Sequence, residues 1–348
     1  MTKTLNLALQ GGGAHGAFAW GVLDRLLEGD EVTIAAISGT SAGALNGAAV
    51  KAGLACAEGA EGRRAARDNL DHVWAQVGRF SDGRLARWMT PSLPVPHGFH
   101  RLAEMLSPAA LVENLTRVFS PYDSGVFYSN PLARIIRTMP HAGLASPGGP
   151  QLFVTATNVR TGRVHIFSGA GVTPDAVMAS ACLPTLFRAV EIEDPQTGRL
   201  ETYWDGGYSG NPALFPLFPN DLPRDIVIVT INPQEREGVP STPTQIQDRI
   251  NEISFNSSLL RELRAIAFVK RLADEGRLQD RGMKIPLIHM VSDEALMTSL
   301  NSRSKSFPGP GLLARMKAAG RAAAEAFVAG DLANVGERDS VELRRIYG

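Results

Sequence analysis

The sequence predicts an α/β fold with a largely parallel central sheet. In its first part, short apolar runs alternate with longer stretches of helical periodicity, as repeated strand–helix units require. Buried strand-like runs return late in the chain, which indicates that the sheet continues beyond the first half.

The N-terminal fifty residues predict two strand–helix units. The run TLNLALQ is typical of a buried strand, and AHGAFAWGVLDRLLEGD predicts the helix that follows it. Apolar residues in that helix recur at three- and four-residue spacing, so they form one face. VTIAAIS then predicts a second strand, and SAGALNGAAVKAG a second helix.

Downstream, residues 63–139 have a helical pattern that PSLPVPHGF interrupts, because three prolines cannot continue a helix. The apolar residues between positions 88 and 105 are expected to pack on the core or to form a lid. A pair of strands is predicted over 151–169, with a turn at Thr161–Gly162. A helix should begin after Thr173, with Pro174 at its first position.

The C-terminal part is predicted to hold two strands, DIVIVTINP and KIPLIHMVS, and two long helices. The helices are expected at residues 244–278 and 312–328. No repeat, low-complexity tract or clear linker divides the chain, so one continuous domain with helical insertions is the simplest organisation.

Composition excludes several classes of protein. Thirty-five basic residues balance thirty-five acidic ones among 348, so no net charge attracts nucleic acid. The two cysteines are not in a CxxC pair, which argues against a disulfide framework and a cysteine-ligated metal. No signal peptide or membrane-length apolar run is seen, and the cytoplasm is the expected location.

The first motif is GGGAHG, from Gly11 to Gly16, which matches G-x-G-x-x-G. A dinucleotide site would need an acidic residue at the end of the second strand, where this chain has Ser38 and Gly39. A glycine-rich turn that enters a helix still directs several N–H groups and a positive dipole end at one point. An oxyanion formed by attack on an ester carbonyl is the expected occupant.

The second motif is GTSAG, in which Gly39 and Gly43 flank Ser41 between a predicted strand and a predicted helix. This is the context of a nucleophile elbow, where the serine stands on a sharp turn with its hydroxyl exposed. Glycines on both sides allow the tight turn and leave room for an acyl chain. We interpret Ser41 as a nucleophile, against the alternative of a plain βα turn.

A serine nucleophile needs a base, and two candidates remain open on the residues alone. Among the seven histidines, His289 is near the end of a late strand, where a triad histidine is often found. Asp205 lies in the third motif, Asp205-Gly206-Gly207, within TYWDGGYSGNP. An ordinary Asp-Gly hairpin turn is the alternative for this segment.

Together the three motifs, in this order and context, resemble the patatin-like phospholipases. The segment MASACLPTLFRAVEI is also similar to the stretch that leads to the aspartate in that family. The resemblance implies a three-layer α/β/α sandwich with a mainly parallel central sheet. It covers a catalytic domain at residues 5–218, with residues 219–348 expected as a C-terminal α/β extension packed on the same domain.

The resemblance also implies a Ser-Asp dyad without histidine. Ser41 corresponds to the nucleophile, Asp205 to the base, and the N–H groups of Gly12 and Gly13 to the oxyanion hole. The family usually has Lys or Arg at the position of His15, so His15 is expected to line the site or to be a solvated loop residue. In the first case its charged form would help to stabilise negative charge.

The predicted function is hydrolysis of acyl ester bonds in lipids, through an acyl-enzyme and with neither metal nor cofactor. The substrate is a lipid or another acyl ester, with transient contact to a membrane surface and no nucleic-acid partner. One alternative is a Ser-Asp-His esterase that uses Ser41, Asp205 and His289, which follow one another in that order. The other is a lipid-binding protein of the same fold with low turnover.

Overall fold

A computed structural model of the chain gives the arrangement of the sheet and its helices. It describes residues 2–81, 120–123, 128, 130–195, 197–278, 282–300, 303–306, 308 and 311–343. The proline-rich interruption and the apolar residues predicted to form an insertion or lid between positions 88 and 105 lie outside these residues.

Within the described residues, eight strands form one mixed sheet. The strands are β1 (Lys3–Leu9), β2 (Val32–Thr40), β3 (Gln151–Asn158), β4 (Val164–Ser168), β5 (Val190–Asp194), β6 (Arg199–Asp205), β7 (Asp225–Val229) and β8 (Leu287–Val291). Their order is β5-β6-β3-β2-β1-β7-β8, and β4 pairs with β3 beside this path. The central pairs β3-β2, β2-β1, β1-β7 and β7-β8 are parallel, which confirms the predicted mainly parallel α/β sheet.

Helices cover the sheet on two faces. They are α1 (Ala17–Glu28), α2 (Ala42–Cys56), α3 (Gly59–Ser81), α4 (Pro131–Arg137), α5 (Pro174–Ser180), α6 (Pro243–Asp274), α7 (Glu294–Ser299), α8 (Arg303–Ser306) and α9 (Leu312–Ala329). One face is covered by α1, α2, α3 and α9, which share a hydrophobic core with the sheet. On the other face, buried residues of α6 form a second core.

The two cores follow from the alternation of side chains along the strands. In β1, Leu5, Leu7 and Leu9 belong to the first core, whereas Ala8 belongs to the second. In β7 the buried side chains divide in the same way, with Ile228 on the face of α6. Because both faces are buried, the parallel strands are almost continuously apolar, as the sequence indicated.

Local signals in the sequence place several helix ends. Thr173 precedes α5, and its Oγ1 accepts a hydrogen bond from the N–H of Ala176 at 3.2 Å. Thr242 and Gln245 form a reciprocal capping box at the start of α6, which satisfies N–H groups that the helix leaves without partners.

The pairing of β5 with β6 was not predicted. Three of the five residues of β5 are acidic, so Val190 and Ile192 are its only apolar positions and give a weak strand signal. Residues beyond position 218 contribute β7 and β8 to the same sheet, and β7 lies directly beside β1. The carboxyl ends of β1 and β2 therefore meet residues from both parts of the chain.

Candidate active site

Ser41 lies on a strained turn between β2 and α2. Its backbone has φ 55° and ψ −120°, and it is the one non-glycine residue with positive φ among those described. Such a conformation costs about 1–3 kcal/mol and persists when the surrounding structure determines it. The sharp turn between a strand and a helix is as predicted for a nucleophile elbow, but Ser41 is buried there instead of exposed.

The glycines around Ser41 are required by close backbone contacts. A Cβ atom at Gly39 would lie 2.6 Å from the carbonyl oxygen of Gly43. At Gly43 it would overlap the carbonyl oxygen of Leu9 in β1. Only glycine fits at either position, so the GTSAG motif is the consequence of packing a helix start directly against two strands.

The glycine-rich loop after β1 lies against the same serine. A Cβ atom at Gly11 would be 2.7 Å from Cβ of Ser41, and one at Gly16 would be 2.5 Å from Cβ of Ala42. Gly13 has φ 59°, in the region that favours glycine. Among the described residues, no acceptor is found for the N–H groups of Gly12 and Gly13.

Asp205 is brought to the level of Ser41 by the strand register. Thr40 is paired with Thr155 across β2 and β3, and Ala156 is paired with Asp205 across β3 and β6. Ser41 and Asp205 therefore lie at the same level of the sheet, on either side of β3. The Ser41 hydroxyl is close enough to the Asp205 carboxyl to lower its pKa by hydrogen bonding, against the effect of burial.

The main chain of Asp205 is fixed on both sides. Its N–H donates to the carbonyl oxygen of Cys182 at 2.8 Å, and its carbonyl oxygen accepts from Thr157 Oγ1 at 2.8 Å. Gly206 permits this arrangement, because a Cβ atom there would overlap the carbonyl oxygen of Thr155. These contacts set the direction of the carboxylate before substrate binds.

The carboxylate itself is only partly satisfied. Oδ1 accepts a hydrogen bond from the N–H of Gly207 at 2.7 Å, whereas Oδ2 is buried without a partner among the described residues. Burial raises the pKa of Asp205 to about 7, against the lowering effects of the Gly207 N–H and the Ser41 hydroxyl. A carboxylate with such a pKa can accept a proton near neutral pH.

Ser180 holds the nucleophile turn and was not predicted as a site residue. Its Oγ accepts a hydrogen bond from the N–H of Ser41 at 2.8 Å and donates to the carbonyl oxygen of Thr155 at 2.6 Å. The hydroxyl thus joins the strained turn to the strand between Ser41 and Asp205. Its position in MASACLP was part of the family resemblance, but neither spacing nor periodicity could assign this contact.

His15 is buried, so the expectation of a solvated loop residue is wrong. Nε2 lies 2.7 Å from Ser304 Oγ, and Nδ1 has no partner among the described residues. Burial, together with the nearby cations Lys305 and Arg236, lowers the pKa of His15 to about 3. The imidazole is neutral at physiological pH, which also contradicts the expectation that its charged form would stabilise an oxyanion.

His289 does not lie beside Ser41. It belongs to β8, which is separated from β2 by β1 and β7. Its Nε2 is 3.0 Å from Asp225 Oδ1, and its Nδ1 is 2.8 Å from Ser340 Oγ. Because both ring nitrogens have other partners and the side chain is fully buried, the geometry does not support a triad of Ser41, Asp205 and His289.

Neither a metal-binding cluster nor a membrane-spanning helix is found in the described residues. Over the described residues, no group of three or more His, Cys, Asp or Glu side chains is arranged to hold a metal ion. In the same part of the chain, no helix combines the length and the apolar character needed to cross a bilayer.

The family model of the patatin-like phospholipases matches residues 7–218 of the chain. This range includes the glycine-rich loop, Ser41 and Asp205. No curated protein sequence matches the chain.

Solved structures of similar fold are distant. VipD from Legionella pneumophila is 16% identical with a TM-score of 0.40, and the alignment covers 93% of this chain and 66% of VipD. The type III effector protein ExoU is 17% identical with a TM-score of 0.32, over 95% of this chain and 54% of ExoU. The ExoU–SpcU complex of Pseudomonas aeruginosa gives 20% identity and a TM-score of 0.28, over 99% of this chain and 65% of the other. In each comparison this chain spans less than two thirds of the other chain.

Proposed function

The chain belongs to the patatin-like phospholipase family, and on this premise we propose that it is a serine hydrolase that cleaves acyl ester bonds of lipids. The observation that carries the proposal is the pairing of a strained Ser41 with a buried carboxylate. Ser41 has positive φ at a strand–helix turn, and Asp205 has a free Oδ2 at the same level of the sheet. Backbone strain and an unsatisfied buried acceptor both lower the stability of the fold. Their occurrence at the same place therefore indicates a catalytic role for Ser41 and Asp205.

In the proposed reaction, Asp205 accepts the proton of the Ser41 hydroxyl as Oγ attacks the ester carbonyl carbon. The carbonyl oxygen becomes an oxyanion, which the N–H groups of Gly12 and Gly13 stabilise. The carbon–oxygen bond to the leaving alcohol then breaks, the alcohol takes the proton from Asp205, and an acyl-Ser41 ester remains. Asp205 next takes a proton from the water that attacks that ester and passes it to Ser41 Oγ as the acyl carbon–Oγ bond breaks and the fatty acid leaves.

An apolar groove supports a lipid acyl chain as the substrate group. Tyr208, three residues after Asp205, lines a cavity of about 760 Å³ together with Phe215 and Met283. Burial and the nearby carboxylate of Asp205 together raise the pKa of the Tyr208 phenol to about 12. Aromatic and aliphatic walls of this kind favour an alkyl chain over a polar group.

The proposal is tested with a panel of phospholipids, acylglycerols and short-chain esters, each assayed for release of fatty acid by the wild type and by Ser41→Ala. We expect turnover of at least one lipid class, with activity that increases with acyl length, and a loss of at least about 10³-fold in Ser41→Ala. Ser340→Ala is the matched control, since its hydroxyl contacts His289 rather than Asp205. Equal activity in wild type and Ser41→Ala would overturn the proposal.

A further inference from the structure

The glycine-rich loop is held by two asparagine side chains that lie after it in the chain. The N–H of Gly11 donates to Asn211 Oδ1 at 2.6 Å. The carbonyl oxygen of Gly11 accepts from Asn232 Nδ2 at 2.7 Å and from Asn211 Nδ2 at 3.3 Å. Asn232 lies beyond the region 7–218 that matches the family model, so part of this support comes from the C-terminal part of the chain.

These contacts determine where the N–H of Gly12 points. A trans peptide group is planar, and its C=O and N–H bonds point in opposite directions. The peptide group between Gly11 and Gly12 is anchored through its carbonyl oxygen by Asn232. The N–H at its other end is consequently directed away from Asn232, and its donor atom is left without an acceptor among the described residues.

Asn232 is itself rigidly placed. Its main-chain N–H donates to Gln10 Oε1 at 2.9 Å, and Gln10 Nε2 donates to Asn256 Oδ1 at 2.8 Å. All three amide side chains are buried. A buried and satisfied network of this kind holds each amide in one orientation.

The amide oxygen of Asn232, Oδ1, accepts a hydrogen bond from a lysine. Lys305 Nζ in α8 donates to Asn232 Oδ1 at 2.7 Å. The main chain of Lys305 also packs on the loop, because a Cβ atom at Gly13 would be 2.5 Å from the carbonyl oxygen of Lys305. The same lysine therefore touches both the loop and the asparagine that orients it.

We propose that Lys305 and Asn232 form a positioning relay for the oxyanion hole. The ammonium group binds the carbonyl end of the Asn232 amide, the amide binds the carbonyl of Gly11, and the next N–H in line belongs to Gly12. Two amide dipoles thus lie in series with a positive charge at the far end. This inference rests on the proposed function, because it assigns the Gly12 N–H to the oxyanion.

The arrangement strengthens the donor as well as orienting it. Hydrogen bonds in series polarise one another, and a charge acts more strongly in a partly dehydrated site than in water. The N–H of Gly12 therefore carries more positive character than that of an isolated peptide, at the place where negative charge develops. Removing one oxyanion donor costs an enzyme about 10²–10³ in kcat, so weakening one should cost roughly 10- to 100-fold.

The ionisable groups around Lys305 fix its pH range. It faces Glu252 and Asp248 of α6, Arg236 of the β7–α6 connection, and His15 of the loop. Burial lowers the pKa of Lys305 to about 8, with Arg236 acting in the same direction and Glu252 opposing it. The relay should therefore be charged at neutral pH and lose its charge as the pH rises through about 8.

The relay is tested by kcat and KM for Lys305→Met, Asn232→Leu and the double variant, on whichever ester the wild type hydrolyses. Each single variant should lower kcat by 10- to 100-fold with KM changed less than about threefold, and the double variant should resemble the singles. Lys51→Met is the matched control, because that buried lysine binds main-chain carbonyl oxygens of Ser146 and Gly148 instead of the loop. It should lose thermal stability and keep its kcat.

The wild type provides a readout that needs no destabilising variant. Its kcat should fall as the pH rises through about 8, and Lys305→Arg, which keeps the charge, should extend the plateau to higher pH. Wild-type kcat in Lys305→Met, additive losses in the double variant, or identical alkaline profiles for wild type and Lys305→Arg would each overturn the relay. If the wild type has no hydrolysis that depends on Ser41, the proposed function has failed instead.

Discussion

Asp205 and Asp225 are both buried carboxylates in the same sheet, yet their hydrogen bonds differ. Asp225 Oδ1 accepts from His289 Nε2 at 3.0 Å and from the N–H of Gly336 at 2.7 Å. Burial acts to raise the pKa of Asp225, but these hydrogen bonds outweigh it and leave the pKa below its usual value. The carboxylate of Asp205 accepts from the N–H of Gly207 and is close to the Ser41 hydroxyl, yet burial outweighs both and raises its pKa to about 7.

Ser41 and Asp205 are only two of the residue types of a catalytic triad, yet their geometry suits catalysis better than that of the cluster that contains all three types. Asp225, His289 and Ser340 are in contact in the order of a catalytic triad. In that cluster, Ser340 Oγ also meets Asn334 Nδ2 at 3.3 Å, and the histidine is fully buried. Satisfied hydrogen bonds stabilise a fold, whereas Oδ2 of Asp205 has no partner among the described residues and lies near a strained serine.

The largest expected difference between the two regions is in turnover. Asp205→Asn should lower kcat by about 10³-fold or more, because an amide cannot take the proton of Ser41. Asp225→Asn should keep kcat within about threefold and lower the free energy of unfolding by roughly 2–4 kcal/mol, because it weakens a buried pair. Steady-state kinetics and urea unfolding of both variants measure the contrast.

His289→Ala should behave like Asp225→Asn in the same assays, with stability lost and turnover kept. A loss of turnover in His289→Ala comparable to that in Asp205→Asn would return the histidine to the catalytic apparatus and contradict the comparison.

A second difference is the pH dependence of the reaction. Asp205 must be ionised to act as a base, so kcat/KM should rise with pH with a midpoint near 7. Asp225→Asn should leave this acidic limb in place. A limb whose midpoint lies near 4, the range of an ordinary aspartate, would contradict the assignment of Asp205.

The ionisation of Asp205 that catalysis requires should lower the free energy of unfolding. The pKa of Asp205 is raised in the folded state, so its neutral form stabilises the fold at low pH and that contribution is lost as pH rises through about 7. Asp205→Asn should therefore raise the free energy of unfolding by roughly 2 kcal/mol at pH 8, with a smaller gain at pH 5. Thermal unfolding at both pH values checks this, and a gain that is larger at pH 5 would show that the folded carboxyl is not raised.

The smallest effects are expected at His15. Its neutral ring makes one hydrogen bond, to Ser304, so His15→Ala should change kcat less than about fivefold and leave the pH–rate profile unchanged between pH 5 and 9. His15→Lys should lower the melting temperature, since a second cation would be buried beside Lys305 and Arg236. Full activity together with undiminished stability in His15→Lys would show that the loop tolerates a charge at this place.

Much of the fold was predictable because its main elements carry strong local signals. The apolar runs of β1, β2, β7 and β8 and the periodicity of α1 and α9 come from burial on defined faces. The hairpin partner β5 could not be predicted in this way, since three of its five residues are acidic and only Val190 is buried. The apolar residues between positions 88 and 105 were expected to pack on the core or to form a lid, which stays a prediction.

The residues of the site were predictable only where a close main-chain contact requires glycine beside a reactive side chain. Gly39, Gly43 and Gly206 are in the motifs because a Cβ atom would overlap main chain at each position. The contacts of Ser180 and Asn232 depend on side chains that meet across more than a hundred residues of sequence. No spacing rule encodes such contacts, and the burial that holds His15 neutral is equally a property of the folded chain.

Covalent labelling tests the difference between the two regions most directly. The wild type, Ser41→Ala and Ser340→Ala would be treated with an organophosphorus probe, and the modified peptide identified by mass spectrometry. We predict one adduct per chain on Ser41 in the wild type and in Ser340→Ala, and none in Ser41→Ala. An adduct on Ser340, or full labelling of Ser41→Ala, would contradict the assignment of Ser41 and Asp205 as the reactive pair.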